Sequence, residues 1–214
     1  ESLIQATHKF CNKFKNIDLH SQINSNILQI EDEYYSAARP KNSVLSTERL
    51  AKKLIKYGIE YIELRSLDLD PFEPIGINIK TLLFLEVFMI FSSIKDSPNI
   101  TKSEFKEIKQ NDLFVSRSGR KINHNLLRHG NDITIKDWGS QMLYEMLNIA
   151  ELLDTEELNY TQVIVEKMEQ INDPSQCPSA KFLDKYLSSG MSYFDFGLQI
   201  ADINQSKFLQ LNRK

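Results

Sequence analysis

The segment Ile59-Glu60-Tyr61-Ile62-Glu63-Leu64-Arg65 alternates apolar and polar residues, then enters Asp70-Pro71-Phe72-Glu73-Pro74-Ile75-Gly76. The chain must therefore be extended and then turn sharply. A period of two is that of a strand, with Ile62 and Leu64 on one face and Glu63 and Arg65 on the other. Those two charged side chains lie about 7 Å apart along the strand. Pro71, Pro74 and Gly76 keep the following turn irregular, as suits a loop bordering a site. A carboxylate beside a guanidinium can hold a cation and an anion side by side, as a site for metal-bound phosphate and a carboxylate substrate requires. The competing expectation for such a pair is a solvated ion pair on an exposed strand face.

The 214 residues suffice for one domain or a domain and a half with a real core. A formal charge of -3, with no long basic run, gives no reason to expect nucleic acid as a partner. Cys11 and Cys177 lie far apart and form no metal-ligand spacing, so they read as reduced thiols of a cytosolic protein. The start Glu1-Ser2-Leu3-Ile4 has neither a basic segment nor an apolar signal core. The most apolar run, Leu82 to Phe91, is interrupted by Glu86 and too short to span a bilayer. No membrane partner is expected.

Taken in order, Leu3, Ile4, Thr7, Phe10, Cys11 and Phe14 have helical spacing, which predicts a helix up to about Lys15. His8 and His20 stand alone, without a second ligand at metal-binding spacing. From Ile23 to Tyr35, Leu28, Ile30 and Tyr34 alternate with Gln29, Glu31, Glu33 and Tyr35. This pattern predicts a strand pairing with that of Glu63; a helix is the competing assignment. Its carboxylates and Glu63 would then crowd one face and need cations. Pro40, between Arg39 and Lys41, is expected to end that strand. Ser46 or Thr47 should cap a helix running to Gly58. A long apolar helix should follow from Ile79 to about Lys95, with Asn78 opening it and its surface buried between layers.

A boundary is expected near Asp96-Ser97-Pro98, dividing residues 1–97 from a mostly helical 98–214. The latter should hold helices at Thr101–Lys109, Lys136–Leu153, Asn159–Ile171, Ser179–Ser188 and from Ser192 on, with Asn111 to Ile135 irregular. Trp138 reads as a packing anchor. No glycine-rich phosphate loop, zinc pattern or Ser/His/Asp arrangement is present.

The run Ile59-Glu-Tyr-Ile-Glu-Leu-Arg-Ser-Leu-Asp-Leu-Asp-Pro-Phe-Glu-Pro-Ile-Gly76 resembles the signature of bacterial glutamate–cysteine ligases of the proteobacterial type. So do the upstream block Gln22 to Lys41 and the spacing between the two blocks, while Gly119-Arg120-Lys121 is similar to a short motif of that family. The resemblance is strong from about Gln22 to Phe91. It implies an α+β fold, here part of a glutamine-synthetase-like antiparallel sheet followed by a mostly helical C-terminal region. It implies that residues 1–97 are the C-terminal part of a catalytic sheet domain, and that the chain supplies only part of an active site. The implied activity is ATP-dependent formation of γ-glutamylcysteine from L-glutamate and L-cysteine in the cytoplasm, through a γ-glutamyl phosphate and with Mg²⁺. Position by position, Glu63 matches a Mg²⁺-binding glutamate. Arg65 matches an arginine at the transferred phosphate and glutamate carboxylate, and Tyr35 a tyrosine of the cysteine pocket. Gln29, Glu31, Glu33, Arg39, Lys41 and Arg120 carry no assigned role. The implied partners are ATP, the two amino acids and the upstream part of the same enzyme. The alternative is a non-catalytic subunit or interaction module that keeps the ligase surface.

Overall fold

The computed structural model describes residues 2–211 apart from Leu19, Ser46, Ile122 and Asn123. They form two compact units, Glu1–Asp68 and Leu69–Lys214, mixing helix with small antiparallel sheets.

In the first unit, helix α1 (Ser2–His8) is followed by a 3₁₀ turn at Asn12–Phe14, so the helix expected to reach Lys15 stops early. The carbonyls at and just past its end explain the stop. Thr7 O accepts from Asn26 Nδ2 (2.7 Å), Ala6 O from Leu28 N (3.0 Å) and Lys9 O from Ile27 N (2.8 Å). The strand expected from Ile23 to Tyr35 does not form; its first residues pair with the end of α1, and Glu31–Glu33 is a 3₁₀ turn. Local polar side chains capture the backbone donors there. Asn24 Oδ1 accepts from Asn26 N (2.9 Å), Glu33 Oε2 from Gln29 N (2.6 Å), and Gln29 Oε1 from Ile23 N.

The strand Tyr61–Leu64 (β2) instead pairs antiparallel with Ala38–Lys41 (β1). Pro40 lies inside β1 rather than ending it. Arg65 N donates to Ala37 O (2.7 Å), so that pair is hydrogen-bonded, and alternation puts Pro40 opposite Ile62 in a non-hydrogen-bonded pair. There the missing N–H costs the ladder nothing.

Helix α2 (Leu50–Tyr57) has Arg49 at its N-cap with no side-chain cap. Of the two expected caps, Ser46 lies outside the described residues and Thr47 precedes the helix without capping it. The cap comes from far away in sequence: Glu31, buried, accepts the Ala51 N–H at 3.0 Å. Gly58 ends α2 as expected, with φ 80° and its N–H on Leu54 O.

The second unit starts at the proline turn. Asp70 Oδ1 accepts from Phe72 N (3.0 Å), and Asp70 N donates to Gly76 O (2.8 Å). Gly76 has φ +76° and a Cβ there would meet Leu69, so both conformation and space require glycine. Helix α3 (Ile79–Ile94) follows, capped by Asn78, which accepts the Thr81 N–H at 2.8 Å. It packs Leu83, Val87 and Phe91 against Leu143, Met146 and Ile149 of α5 (Ile135–Leu153) and Val163 and Ile164 of α6 (Tyr160–Asn172). Its burial is one-sided, contrary to expectation: Ile79, Leu82 and Ile94 stay exposed. Glu86, the one acidic residue in that apolar helix, accepts the hydroxyl of buried Tyr160 at 2.8 Å.

Between α3 and α5 stands α4 (Lys102–Ser118), opened by a capping box of Thr101 and Glu104 and longer than expected. The segment expected to be irregular then holds a hairpin of β3 (Asn125–Arg128) and β4 (Asn131–Thr134). Its two-residue turn, His129-Gly130, has φ 51° and 78°. Asn111 of α4 clamps it, donating to Leu127 O (2.8 Å) and accepting from Leu127 N (2.9 Å).

Helices α7 (Pro178–Ser189) and α8 (Tyr193–Leu211) close the unit. Phe182 meets the rings of Phe72 and Phe196, and Asn204 Nδ2 donates to Pro71 O (3.1 Å), so these helices hold the proline turn. Both cysteines are free thiols. Among the described residues no helix is long and apolar enough to cross a membrane.

Candidate functional site

Register decides which side chains share a face of the β1–β2 ladder. Opposed residues point the same way, so Arg39, Lys41, Tyr61 and Glu63 share one face and Ala38, Pro40, Ile62 and Leu64 the other. Arg65, one alternation past Glu63, returns to the Glu63 face. There its guanidinium forks onto the carboxylate, Nε to Oε1 at 2.8 Å and Nη2 to Oε2 at 3.3 Å. Lys41 is diagonal to Glu63 across the ladder and brings Nζ to 3.2 Å from that same Oε2. Tyr35 donates its hydroxyl to the Arg65 carbonyl (3.1 Å), and its ring centroid lies 5.5 Å from the guanidinium carbon. The three residues singled out in the sequence, Glu63, Arg65 and Tyr35, thus stand together on an open surface.

The hydrogen bond from Arg65, and then that from Lys41, hold the Glu63 carboxyl below the ordinary carboxylate range. Glu63 in turn raises the Arg65 guanidinium further. The cluster carries two cations on one carboxylate and so keeps a surplus of positive charge. The opposite face does not sink into a core as expected: Ile62 is 48% exposed, since a two-stranded ladder is too narrow to cover its own apolar side.

The crowd of carboxylates expected on this face is absent, because the strand that would carry it does not form. Glu31 is buried as the α2 cap, Glu33 binds a backbone N–H, and Asp32 pairs with buried Arg39 at 3.1 Å. Among the described residues no group of three or more His, Cys, Asp or Glu side chains is placed to hold a metal. Both Glu63 oxygens already face cations. These residues do not by themselves make a Mg²⁺ site, and what they offer chemically is anion recognition by Arg65 and Lys41.

Sequence reasoning left Lys41 without a role because Pro40 hid the strand it belongs to. The spacing of Arg39 and Lys41 around Pro40, which puts both on one strand face, is the signal that could have found it. Elsewhere, Gly119 ends α4 with its N–H on Val115 O, and a Cβ there would meet that carbonyl. Gly119 and Lys121 line an open groove of about 400 Å³ with His124, Lys136 and Asp137, while Arg120 is exposed. Trp138 is half-buried, with Arg128 over its ring.

The fold matches part of the fold of an amino-acid ligase. The chain superposes, at a TM-score of 0.84 and 36% identity, on the crystal structure of glutamate–cysteine ligase from Francisella tularensis in complex with AMP, covering 96% of this chain and 42% of that one. A bifunctional glutathione synthetase from Pasteurella multocida matches at a TM-score of 0.60 and 25% identity over 82% of this chain and 21% of its own. The glutamate-cysteine ligase family model matches residues 1–115, and the chain belongs to that family. Glutamate–cysteine ligase of Alcanivorax borkumensis is 37% identical over 91% of this chain. That of Pseudomonas putida KT2440 is 34% identical over 87%. The chain spans 37% and 36% of those two relatives' lengths.

Proposed function

We propose that this chain is part of an ATP-dependent ligase that joins the γ-carboxyl of L-glutamate to the amine of L-cysteine, giving γ-glutamylcysteine for glutathione synthesis. The observation that carries this is the fork of Arg65 on Glu63, braced by Tyr35, in a member of this family. The AMP in the Francisella relative supports a nucleotide co-substrate. The β1–β2 ladder is then a fragment of a glutamine-synthetase-like sheet, and the enzyme works in the cytoplasm.

In the reaction the glutamate carboxylate takes the γ-phosphoryl group of ATP, releasing ADP. The cysteine amine then attacks the acyl carbon and gives up a proton to solvent, the bond from that carbon to the bridging oxygen breaks, and phosphate leaves with that former carboxylate oxygen. Arg65 presents a planar two-pronged donor to the transferring phosphoryl group, where charge builds over several oxygens. Glu63 and the Tyr35 hydroxyl, through the Arg65 carbonyl, fix that fork in place before substrate arrives. The Tyr35 ring, 67% exposed, is free to line the pocket of the cysteine side chain. Glu63 is also the one residue here proposed as a Mg²⁺ ligand, and it does not suffice alone. Bound Mg²⁺ would neutralise the triphosphate.

A coupled assay for ADP release, on a protein of the relatives' full length containing this sequence, tests the reading. ADP release should require both glutamate and cysteine. Release that ignores either amino acid would overturn it.

A further inference from the structure

Two cations converge on one oxygen of Glu63. Lys41 Nζ lies 3.2 Å from Oε2 and Arg65 Nη2 3.3 Å from it, approaching from β1 and from the end of β2. An oxygen held by an ammonium and one prong of a guanidinium occupies a position built for an oxyanion. Glu63 can satisfy only part of that demand. One carboxylate shared between two cations leaves a net positive charge at the surface, and Arg65 retains its Nη1 edge. All three side chains are reachable from solvent, at 26% for Lys41, 23% for Arg65 and 38% for Glu63. The neighbouring cation on this face, Arg39, is not available in the same way, since it is 10% exposed and paired to Asp32 at 3.1 Å.

We infer that Lys41 is the second cation of the substrate-anion site, and that Glu63 Oε2 marks where an oxygen of the incoming oxyanion sits. This rests on the ligase reading above. On binding, the Glu63 carboxylate swings aside and the ligand oxygen takes the place of Oε2, so Arg65 and Lys41 exchange one set of charge-assisted hydrogen bonds for another. No bond to carbon or phosphorus changes in this step. The ligand class is an oxyanion: either a phosphate of the nucleotide or the side-chain carboxylate of the amino acid. The geometry suits both, because each offers two oxygens to a fork and a neighbouring ammonium.

The test uses a protein of the relatives' full length containing this sequence, with Lys41→Met, Lys41→Gln and Lys41→Arg compared with the parent. Inhibition by inorganic tripolyphosphate and by glutarate probes the two oxyanions separately, and the KM for cysteine serves as an internal reference. Loss of the ammonium should weaken at least one oxyanion by about tenfold or more. The arginine variant should recover most of that loss, and the cysteine KM should stay within about twofold. Weakening of tripolyphosphate alone assigns the phosphate, and of glutarate alone the carboxylate. The glutamine variant keeps a donor for Glu63 without charge, so the comparison survives if the methionine variant fails to fold. Inhibition constants for both anions within about twofold of the parent in Lys41→Gln would overturn the inference. If the parent protein itself releases no ADP with glutamate and cysteine, the ligase reading fails instead, while direct binding of the two anions still reports on Lys41.

Discussion

Arg65 is worth more than its charge because of its shape. It holds Glu63 through two nitrogens at once, at 2.8 and 3.3 Å, and a lysine could reach only one oxygen. In a full-length ligase containing this chain, Arg65→Lys should therefore lower kcat by roughly a hundredfold or more. Near-normal turnover would make the strand face mere scaffold. Glu63 supplies a second test that needs no activity. Its carboxyl is held below the ordinary value of 4.5, chiefly by Arg65 and then by Lys41. A carboxyl lowered on folding favours the folded state above its unfolded pKa, and that contribution disappears as pH falls through the lowered value. The Glu63 resonance should accordingly titrate with a midpoint below 4.5 and move up toward the ordinary range in Arg65→Gln. An unchanged midpoint would mean the fork does not persist in solution. Both partners of this pair were legible from a period of two alone. Lys41 was not, because a proline next to it argued against the strand, and only the ladder register shows that Pro40 sits where no N–H is needed.

At the level of elements, the helices were readable, α2 and its Gly58 stop included, but a start set by a distant partner was not. Asn78 opens α3 and Thr101 with Glu104 opens α4, each within its own few residues. Helix α2 takes its cap from Glu31, twenty positions earlier in sequence, which no local pattern announces. The hairpin β3–β4 was hidden for a similar reason. Its His129-Gly130 turn has a non-glycine residue at positive φ, and its clamp to α4 is the side chain of Asn111. The segment 23–35 shows the converse failure: the alternation was real, but Asn24, Gln29 and Glu33 satisfy the backbone locally before a ladder can form. The helical core of the second unit followed its pattern more closely, and its energetics can be checked. Ile164 of α6 is fully buried against α3 and α5. Ile164→Ala should cost about 2–5 kcal/mol, read as a lower midpoint in urea with the slope unchanged. A loss under about 1 kcal/mol would mean that the α3–α5–α6 packing relaxes around the deletion.

For the molecule as a whole, the 214 residues span 37% of the Alcanivorax borkumensis ligase and 42% of the Francisella tularensis chain. Their candidate site supplies one carboxylate beside two cations, and a single carboxylate leaves a divalent ion mostly solvated. A triphosphate held largely through such ions would then bind poorly. The surface points the same way. Tyr193 and Phe194 at the start of α8 are 66% and 71% exposed, Ile79 and Leu82 of α3 are 58% and 46%, and among the described residues no third strand covers the edges of the β1–β2 ladder. The 214-residue chain alone should therefore show no ADP release with glutamate and cysteine above background. In sedimentation it should run as species larger than 24.9 kDa at micromolar concentration. Supplying the remaining part of a full-length relative as a separate chain, refolded together with this one, should restore turnover. Substantial turnover by the isolated chain would show that its own residues complete the site, and would remove the need for ligands from elsewhere.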